Sequence, residues 1–268
     1  MNNNDSTPLQ THILSRISRV YPLSGLPVIL ATTNPIKLER LKAFLDLYGF
    51  ENGCNFEIET LESIDATDFD CPEIYYNYSD NSKLKNDMLY YMITEGGTSF
   101  EYRDGDYLII TTDNGLEIPK LHGWPGVHTK RANSYKYRGE AGKNETSAEA
   151  ILEQASDLNE SDRYGSMHCA CAISLVFFTS DGSLYPNNKH VFIGKGSQKV
   201  QLIYPSPNEK VYTAWDICAP RHDLNSDKRL PVYSKISIEK SMIYGDFMYQ
   251  AFSEAMDRAM VRYMELRS

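Results

Sequence analysis

The chain reads as an α/β protein, and two observations carry that expectation. Short apolar runs alternate with stretches of helical periodicity along most of the length, and no internal repeat or low-complexity linker breaks the alternation. The 268 residues suffice for one large domain or two small ones with a sizeable core. Residues 1–25 read as a polar tail with a short helical piece around Ile13–Val20, and residues 26–268 as the folded domain.

The elements follow in order. Val28–Thr33 is a buried strand by composition. Asn34 suits a helix cap and Pro35 the first helical position. Ile36, Leu38, Leu41, Phe44, Leu45 and Tyr48 then recur at helical spacing, with Gly49 as the stop. "FEIETLESI" alternates like a strand, and "SDNSKLKNDMLYYMITEGG" reads as a helix stopped by glycines. "DYLIITTDNGLEI" is a strand running into a polar turn, and "GWPGVHTKRA" a loop. "TSAEAILEQASDL" is a capped helix. "HCACAISLVFFTS" and "HVFIGKGSQKVQLIYP" are two long strands, joined as a hairpin through "DGSLYPNNK". The last helix, "GDFMYQAFSEAMDRAMVRYMEL", carries a stripe of Phe, Ala and Met that packs a core.

Composition narrows the function. Net charge is −9 with no basic run, which argues against a nucleic-acid polymer as partner. No apolar run approaches a membrane span, and the first residues lack the layout of a signal peptide. Five scattered cysteines without a C-x-x-C pair suggest reduced thiols in a cytoplasmic protein.

The chemistry concentrates at a strand-to-helix corner. Thr32, Thr33, Asn34 and Lys37 stand where unpaired helix amides and the positive end of the dipole suit a phosphate. Glu73 precedes a helix bearing Lys83 and Lys85, and "TTDNGLEI" carries Asp113. Two carboxylates, lysines and a phosphate corner together suggest metal-assisted attack on a phosphate ester or anhydride, with Mg²⁺ as the cation. Taken singly, each signal has a plainer reading: Asn34 as a cap, a helix lysine in solvent, an aspartate in a turn.

The order and spacing of the segments resemble the inosine triphosphate pyrophosphatase family. Thr32-Thr33-Asn34-Pro35-Ile36-Lys37 stands for its T-G-N-x-x-K, with Thr33 replacing glycine. Glu73 and Lys85 keep its acid-to-lysine spacing, and Asp80-Asn81-Ser82-Lys83-Leu84-Lys85 stands for E-N-A-x-x-K. Asp113-Asn114-Gly115-Leu116 matches D-S-G-L, the run from His122 to Arg131 matches G-G-x-P-G-x-Y-x-x-R, and Ala214-Trp215-Asp216 lies in the F-G-W-D-P place.

The resemblance implies a long, mixed, twisted central sheet flanked by helices, two lobes with a cleft between them, and a homodimer. It implies Mg²⁺-dependent hydrolysis of a nucleoside triphosphate to the monophosphate and pyrophosphate. In that reading Glu73 and Asp113 hold the metal or activate water, and the sequence does not order the two. Lys85 joins them in catalysis, Lys37 and Lys85 face the phosphates, and Thr32, Thr33, Asn34, Asn114 and Gly115 line the phosphate corner. Trp215, Asp216, Lys240 and Asp246 lie beside the nucleoside.

Two departures stand out. Thr112 replaces the first of two adjacent acids, and Tyr244-Gly245-Asp246 replaces the S-H-R that reads a 6-oxo purine. Base preference is therefore expected to change, and Asp246 has two readings, helix cap or base contact, with the cap favoured. The rival functions are the ordinary inosine and xanthosine triphosphate activity and a catalytically weak nucleotide-binding protein. His168 beside Cys169 reads as structural, since neighbours on a strand face opposite ways. His122, His128 and His222 show no metal-ligand spacing.

Overall fold

The computed structural model describes residues 24–100, 105–134, 146–178, 184–221 and 231–267. The helical piece expected at Ile13–Val20 and the histidine His222 lie outside the described residues. The strands are β1 (Ser24–Leu30), β2 (Asn55–Thr60), β3 (Tyr107–Glu117), β4 (Pro125–Gly126), β5 (Tyr164–Phe178), β6 (Leu184–Leu202) and β7 (Cys218–Pro220). The helices are α1 (Pro35–Asn52), α2 (Tyr78–Thr94), α3 (Ser147–Gln154), α4 (Ala214–Ile217), α5 (Ile238–Ile243) and α6 (Phe247–Arg267).

All the strands join one mixed sheet, ordered β2-β1-β3-β5-β6-β7, with β4 paired to β3. β1 runs parallel to both β2 and β3, and the β3–β5, β5–β6 and β6–β7 pairs are antiparallel. Among the described residues the strands form one continuous sheet.

Side-chain alternation builds two cores. Val28, Leu30, Leu108 and Ile110 face one side, where α1 and α6 supply Leu41, Phe44, Phe252 and Met256. Ile29, Tyr107 and Ile109 face the other, covered by Leu89 and Ile93 of α2. Gly194 and Gly196 let α6 lie close on β6: an added Cβ would meet the Ala251 carbonyl oxygen at 2.0 Å and that of Phe247 at 1.9 Å.

Several boundaries differ from the sequence reading, among them the start of β1 at Ser24 and of β6 at Leu184, and two of them bear on the site. α1 continues through Gly49 and stops at Gly53, a left-handed residue with φ 66° whose N–H donates to the Gly49 carbonyl. Gly49 serves the return of the chain instead, because a Cβ there would meet the Cys54 carbonyl oxygen at 2.7 Å. β3 does not turn after Thr112. It runs on to Glu117, because β5 pairs with it along its whole length, from Tyr107 opposite Val176 to Glu117 opposite Ser166. Asp113 is therefore a mid-strand residue.

The connectivity places the site. β2 and β3 flank β1 on opposite sides, so α1 and α2 leave toward opposite faces and the chain reverses direction at the carboxyl end of β1. Such a switch point opens a crevice in α/β sheets. β1 ends at Leu30, opposite Ile110, and β3 outruns it. Thr112 and Asp113 thus stand just beyond the β1 end, beside the corner that starts α1.

Candidate active site

The N-terminal turns of α2 bring the carboxylates together. Asn77 caps the helix by accepting from the Asp80 N–H at 2.8 Å. Asn81 and Lys85, one turn apart, face the same way. Lys85 Nζ donates to Glu73 Oε1 and to Asp113 Oδ1, each at 2.9 Å. Arg131 approaches Glu73 Oε2 at 3.3 Å, and Asn81 Nδ2 donates to Asp113 Oδ2 at 3.2 Å. Asn81 also closes a pair of hydrogen bonds with the backbone of Tyr75, at 3.0 and 3.1 Å.

The side chains of Lys85, Glu73 and Asp113 are 15%, 9% and 4% exposed, so their charges interact with little screening. Burial alone raises the Glu73 pKa, but Lys85, Arg131 and Lys37 outweigh it and hold the carboxyl below its usual value. Burial likewise opposes the Lys85 charge, and Asp113 and Glu73 overcome it, so its pKa lies above the ordinary lysine value. For Lys37 the nearby Asp113 and Glu73 charges compensate only in part. Burial first, and the Lys85 charge second, bring its pKa down to about 8.

The α1 corner is self-capped. Asn34 Oδ1 accepts from the N–H groups of Ile36 at 2.9 Å and Lys37 at 3.3 Å, and Thr32 Oγ1 accepts from the Asn34 N–H at 3.2 Å. Thr33 is exposed. Thr112 and Asn114 point to the β3 face opposite Asp113. The Thr112 hydroxyl and the Asn114 amide nitrogen are buried without a hydrogen-bond partner. Gly115 is packed from three sides: a Cβ would meet the Gly126 carbonyl oxygen at 2.2 Å, and Thr129 Oγ1 and Tyr78 Cε1 at 2.9 Å. Its bareness lets the loop that carries Arg131 close on β3. That contact accounts for the glycine.

Of the four residues assigned to the nucleoside, three are engaged within the protein and Lys240 is exposed. Trp215 is 4% exposed, with the Phe247 ring at 5.5 Å, the Tyr233 ring at 5.6 Å and the Arg40 guanidinium at 5.2 Å, so it offers no face for stacking. Asp216 is spent on a capping box, accepting from the N–H groups of Thr213 at 2.9 Å and Tyr212 at 3.0 Å. Lys240 is exposed on α5.

Asp246 is fully buried. One carboxylate oxygen accepts from the N–H groups of Met248 and Tyr249 at the start of α6, and the other accepts from Ser241 Oγ and Arg40. Both oxygens are engaged, so the base-contact reading gives way to the cap. No hydrogen bond or ion pair among the described residues ties any of these four to Glu73, Lys85 or Asp113.

Sequence reasoning passed over Asn81, Arg131 and Arg40 as site or clamp residues. Asn81 and Arg131 stood inside quoted motifs and were legible there. Arg40 gave no signal, since a charged residue in a helix normally faces solvent. His168 is half-buried, 3.5 Å from Glu117 Oε2 and parallel to the Tyr78 ring, while Cys169 lies in the core. All five cysteines are free, and burial pushes the Cys169 thiol up to about 12.

An α/β protein with a carboxylate–lysine cluster and a lysine-bearing helix start at a switch point has the parts of a phosphate-handling site. The family model of the Ham1 family matches residues 28–216, which hold all of those parts, and the chain belongs to that family. The dITP/XTP pyrophosphatase of Clostridium perfringens is 27% identical over 143 residues, covering 53% of this chain and 60% of the relative. That of Bacillus subtilis is 25% identical over 147 residues, covering 55% and 62%. The chain thus spans about 60% of the length of the curated relatives it matches. The solved structure of a HAM1 protein from Coxiella burnetii aligns at a TM-score of 0.53 and 18% identity, over 90% of this chain and 99% of that one, and shares the fold.

Proposed function

We propose that this protein hydrolyses a nucleoside triphosphate to the monophosphate and pyrophosphate with the help of Mg²⁺. The observation that carries the reading is the Glu73–Lys85–Asp113 cluster at the crevice of a Ham1-family fold. Names of relatives, dITP/XTP pyrophosphatases, support the reaction class.

The donor set fits Mg²⁺. Among the described residues no group of three or more His, Cys, Asp or Glu side chains is placed to hold a metal. Glu73 and Asp113 supply hard oxygens, and Mg²⁺ completes its shell with water and substrate phosphates. Bound there, the ion would neutralise phosphate charge and favour attack by water. Glu73, held ionised by Lys85 and Arg131, and Asp113 are the groups that accept a proton from the attacking water. Lys85 then serves the phosphates as it serves the carboxylates, as a fixed positive charge. Lys37 meets the triphosphate from the α1 side, with Thr32, Thr33, Asn34 and the unpaired Asn114 amide around it. Asn34 does so only by giving up its cap.

Base preference is altered in this reading, because Trp215 and Asp246 are sealed. The proposal also carries a cytoplasmic homodimer, for which sedimentation is the check. Pyrophosphate release across a panel of purine and pyrimidine triphosphates, with and without Mg²⁺, tests the central claim. Mg²⁺-dependent release from at least one nucleotide is expected, and none from any would overturn it.

A further inference from the structure

We infer that the segment Ile74–Tyr76 is the platform on which the nucleobase of the substrate stacks, a role that rests on the triphosphate reading above. Three consecutive large apolar residues stand in solvent directly after Glu73: Ile74 is 62% exposed, Tyr75 42% and Tyr76 89%. A loop ordinarily turns such side chains inward, since their burial is favourable.

The loop is not slack. Asn81 holds the Tyr75 N–H and carbonyl oxygen with one amide, and the same amide nitrogen donates to Asp113. One side chain thus fixes the distance between the aromatic lip and the carboxylate pair. A nucleotide whose phosphates lie against Glu73, Asp113 and Lys85 has its base a sugar's length away, within reach of a lip that starts one residue after Glu73.

The chemistry of recognition follows from what the lip offers. Tyrosine rings present faces, and every base has a face, so stacking tolerates many bases. Reading a base edge takes fixed donors and acceptors. Asp246, which stands in the segment where the resemblance places edge reading, is engaged by Arg40, and the Trp215 ring, a stacking face by resemblance, is covered by the same guanidinium. The ligand class is therefore a nucleoside triphosphate held by its phosphates and by the face of its base, with weak discrimination among bases. A second copy of the chain is the competing occupant of the lip.

Equilibrium binding separates these cases without turnover. The affinity of an α,β-imido nucleoside triphosphate is measured in Mg²⁺ relative to that of tripolyphosphate, which has no base. In the variant carrying Tyr75→Ala and Tyr76→Ala that ratio is expected to fall about tenfold or more, the usual cost of losing base–aromatic stacking. Tyr75→Phe with Tyr76→Phe is expected to keep it, and the guanine, hypoxanthine and adenine nucleotides to agree within about tenfold. An unchanged ratio in the alanine variant overturns the inference. So does loss of a dimer in sedimentation with the ratio preserved, which would make the lip a contact between copies. If the unsubstituted chain releases no pyrophosphate yet the ratio still falls in the variant, the catalytic reading fails and the stacking site stands.

Discussion

Two clusters in this molecule pair carboxylates with a cation, and their difference separates a site from a strut. At the crevice, Lys85 is shared by Glu73 and Asp113, and the three side chains keep 4–15% of their surface in contact with solvent. Nearby, Lys37 carries a depressed pKa, and the Thr112 hydroxyl and Asn114 amide lack partners. Around Arg40 nothing is left over. Its guanidinium lies over the Trp215 and Tyr233 rings, and donates to Asp246, Ser241 and the Tyr233 carbonyl oxygen. Asp246 in turn caps α6. Charge that is fully matched holds helices together. Charge that is matched to excess on one side and unmet on the other is prepared for a ligand.

The strut is the place for the largest effect. Asp246→Ala strands the Arg40 charge and uncaps α6, and is expected to cost about 3–5 kcal/mol. Replacing both members, Arg40→Met with Asp246→Ser, is expected to recover much of that loss, because no charge is then left unpaired. Urea unfolding reads both, and a single variant within about 0.5 kcal/mol of the parent would abolish the contrast between the clusters.

Next come the crevice acids. Glu73→Gln and Asp113→Asn keep shape but remove charge, and each exchanges one acceptor oxygen for an NH2 donor. Each is expected to lower pyrophosphate release by roughly 10²-fold or more while costing less stability than Asp246→Ala. Stability is the sharper half of this test, because Asp113 is only 3% exposed and Asp113→Ala would confound folding with chemistry. Near-parental turnover in Asp113→Asn at saturating Mg²⁺ would remove that residue from the site.

A smaller effect follows from Lys37. Its pKa of about 8 keeps it protonated at lower pH and neutral above. Triphosphate affinity is thus expected to be level below pH 8 and to fall above it, by at most about tenfold per pH unit for one proton. Lys37→Arg should flatten the fall. Folding stability has the opposite slope: between pH 8 and about 10.5 the unfolded chain holds a proton that the folded one has lost, so the Lys37 contribution rises with pH there. A pH-independent affinity would return Lys37 to a bystander's role.

The smallest effect belongs to Asn34. Its carbonyl oxygen already accepts two helix amides, so Asn34→Ala is expected to cost about 1 kcal/mol in thermal unfolding. Asn34→Asp should retain the cap yet weaken triphosphate binding by adding a negative charge, if the corner meets phosphate. Equal affinity of parent and Asn34→Asp would mark it as a cap alone.

Much of this was legible from the sequence because it is local. The Asn34–Pro35 start of α1, the Thr146–Glu149 capping box of α3 and the stripe of α6 are written within a few adjacent residues. The meeting of Glu73, Lys85 and Asp113 was readable only through motif order, since nothing local brings a loop, a helix and a strand together. That Trp215 and Asp246 are buried was not legible, for a physical reason. Whether Trp215 and Asp246 face solvent is decided by Arg40, more than 170 positions away from either, and such distant neighbours leave no periodicity to read. The end of β3 was misplaced likewise, because its partner β5 lies far along the chain.

The order of strands in the sheet has a kinetic consequence. β5 and β6 pair across a short connection, whereas β1 and β3 join at Leu30 and Ile110, eighty positions apart. Closing the longer loop costs more chain entropy, so the hairpin is the early event and the parallel pairing a late one. Asp113 of β3 and the helix corner that follows β1 are brought into register only at that late step. A partly folded chain would then own a well-formed hairpin and no competence for chemistry, which makes recovered turnover during refolding a clock for the parallel half of the sheet.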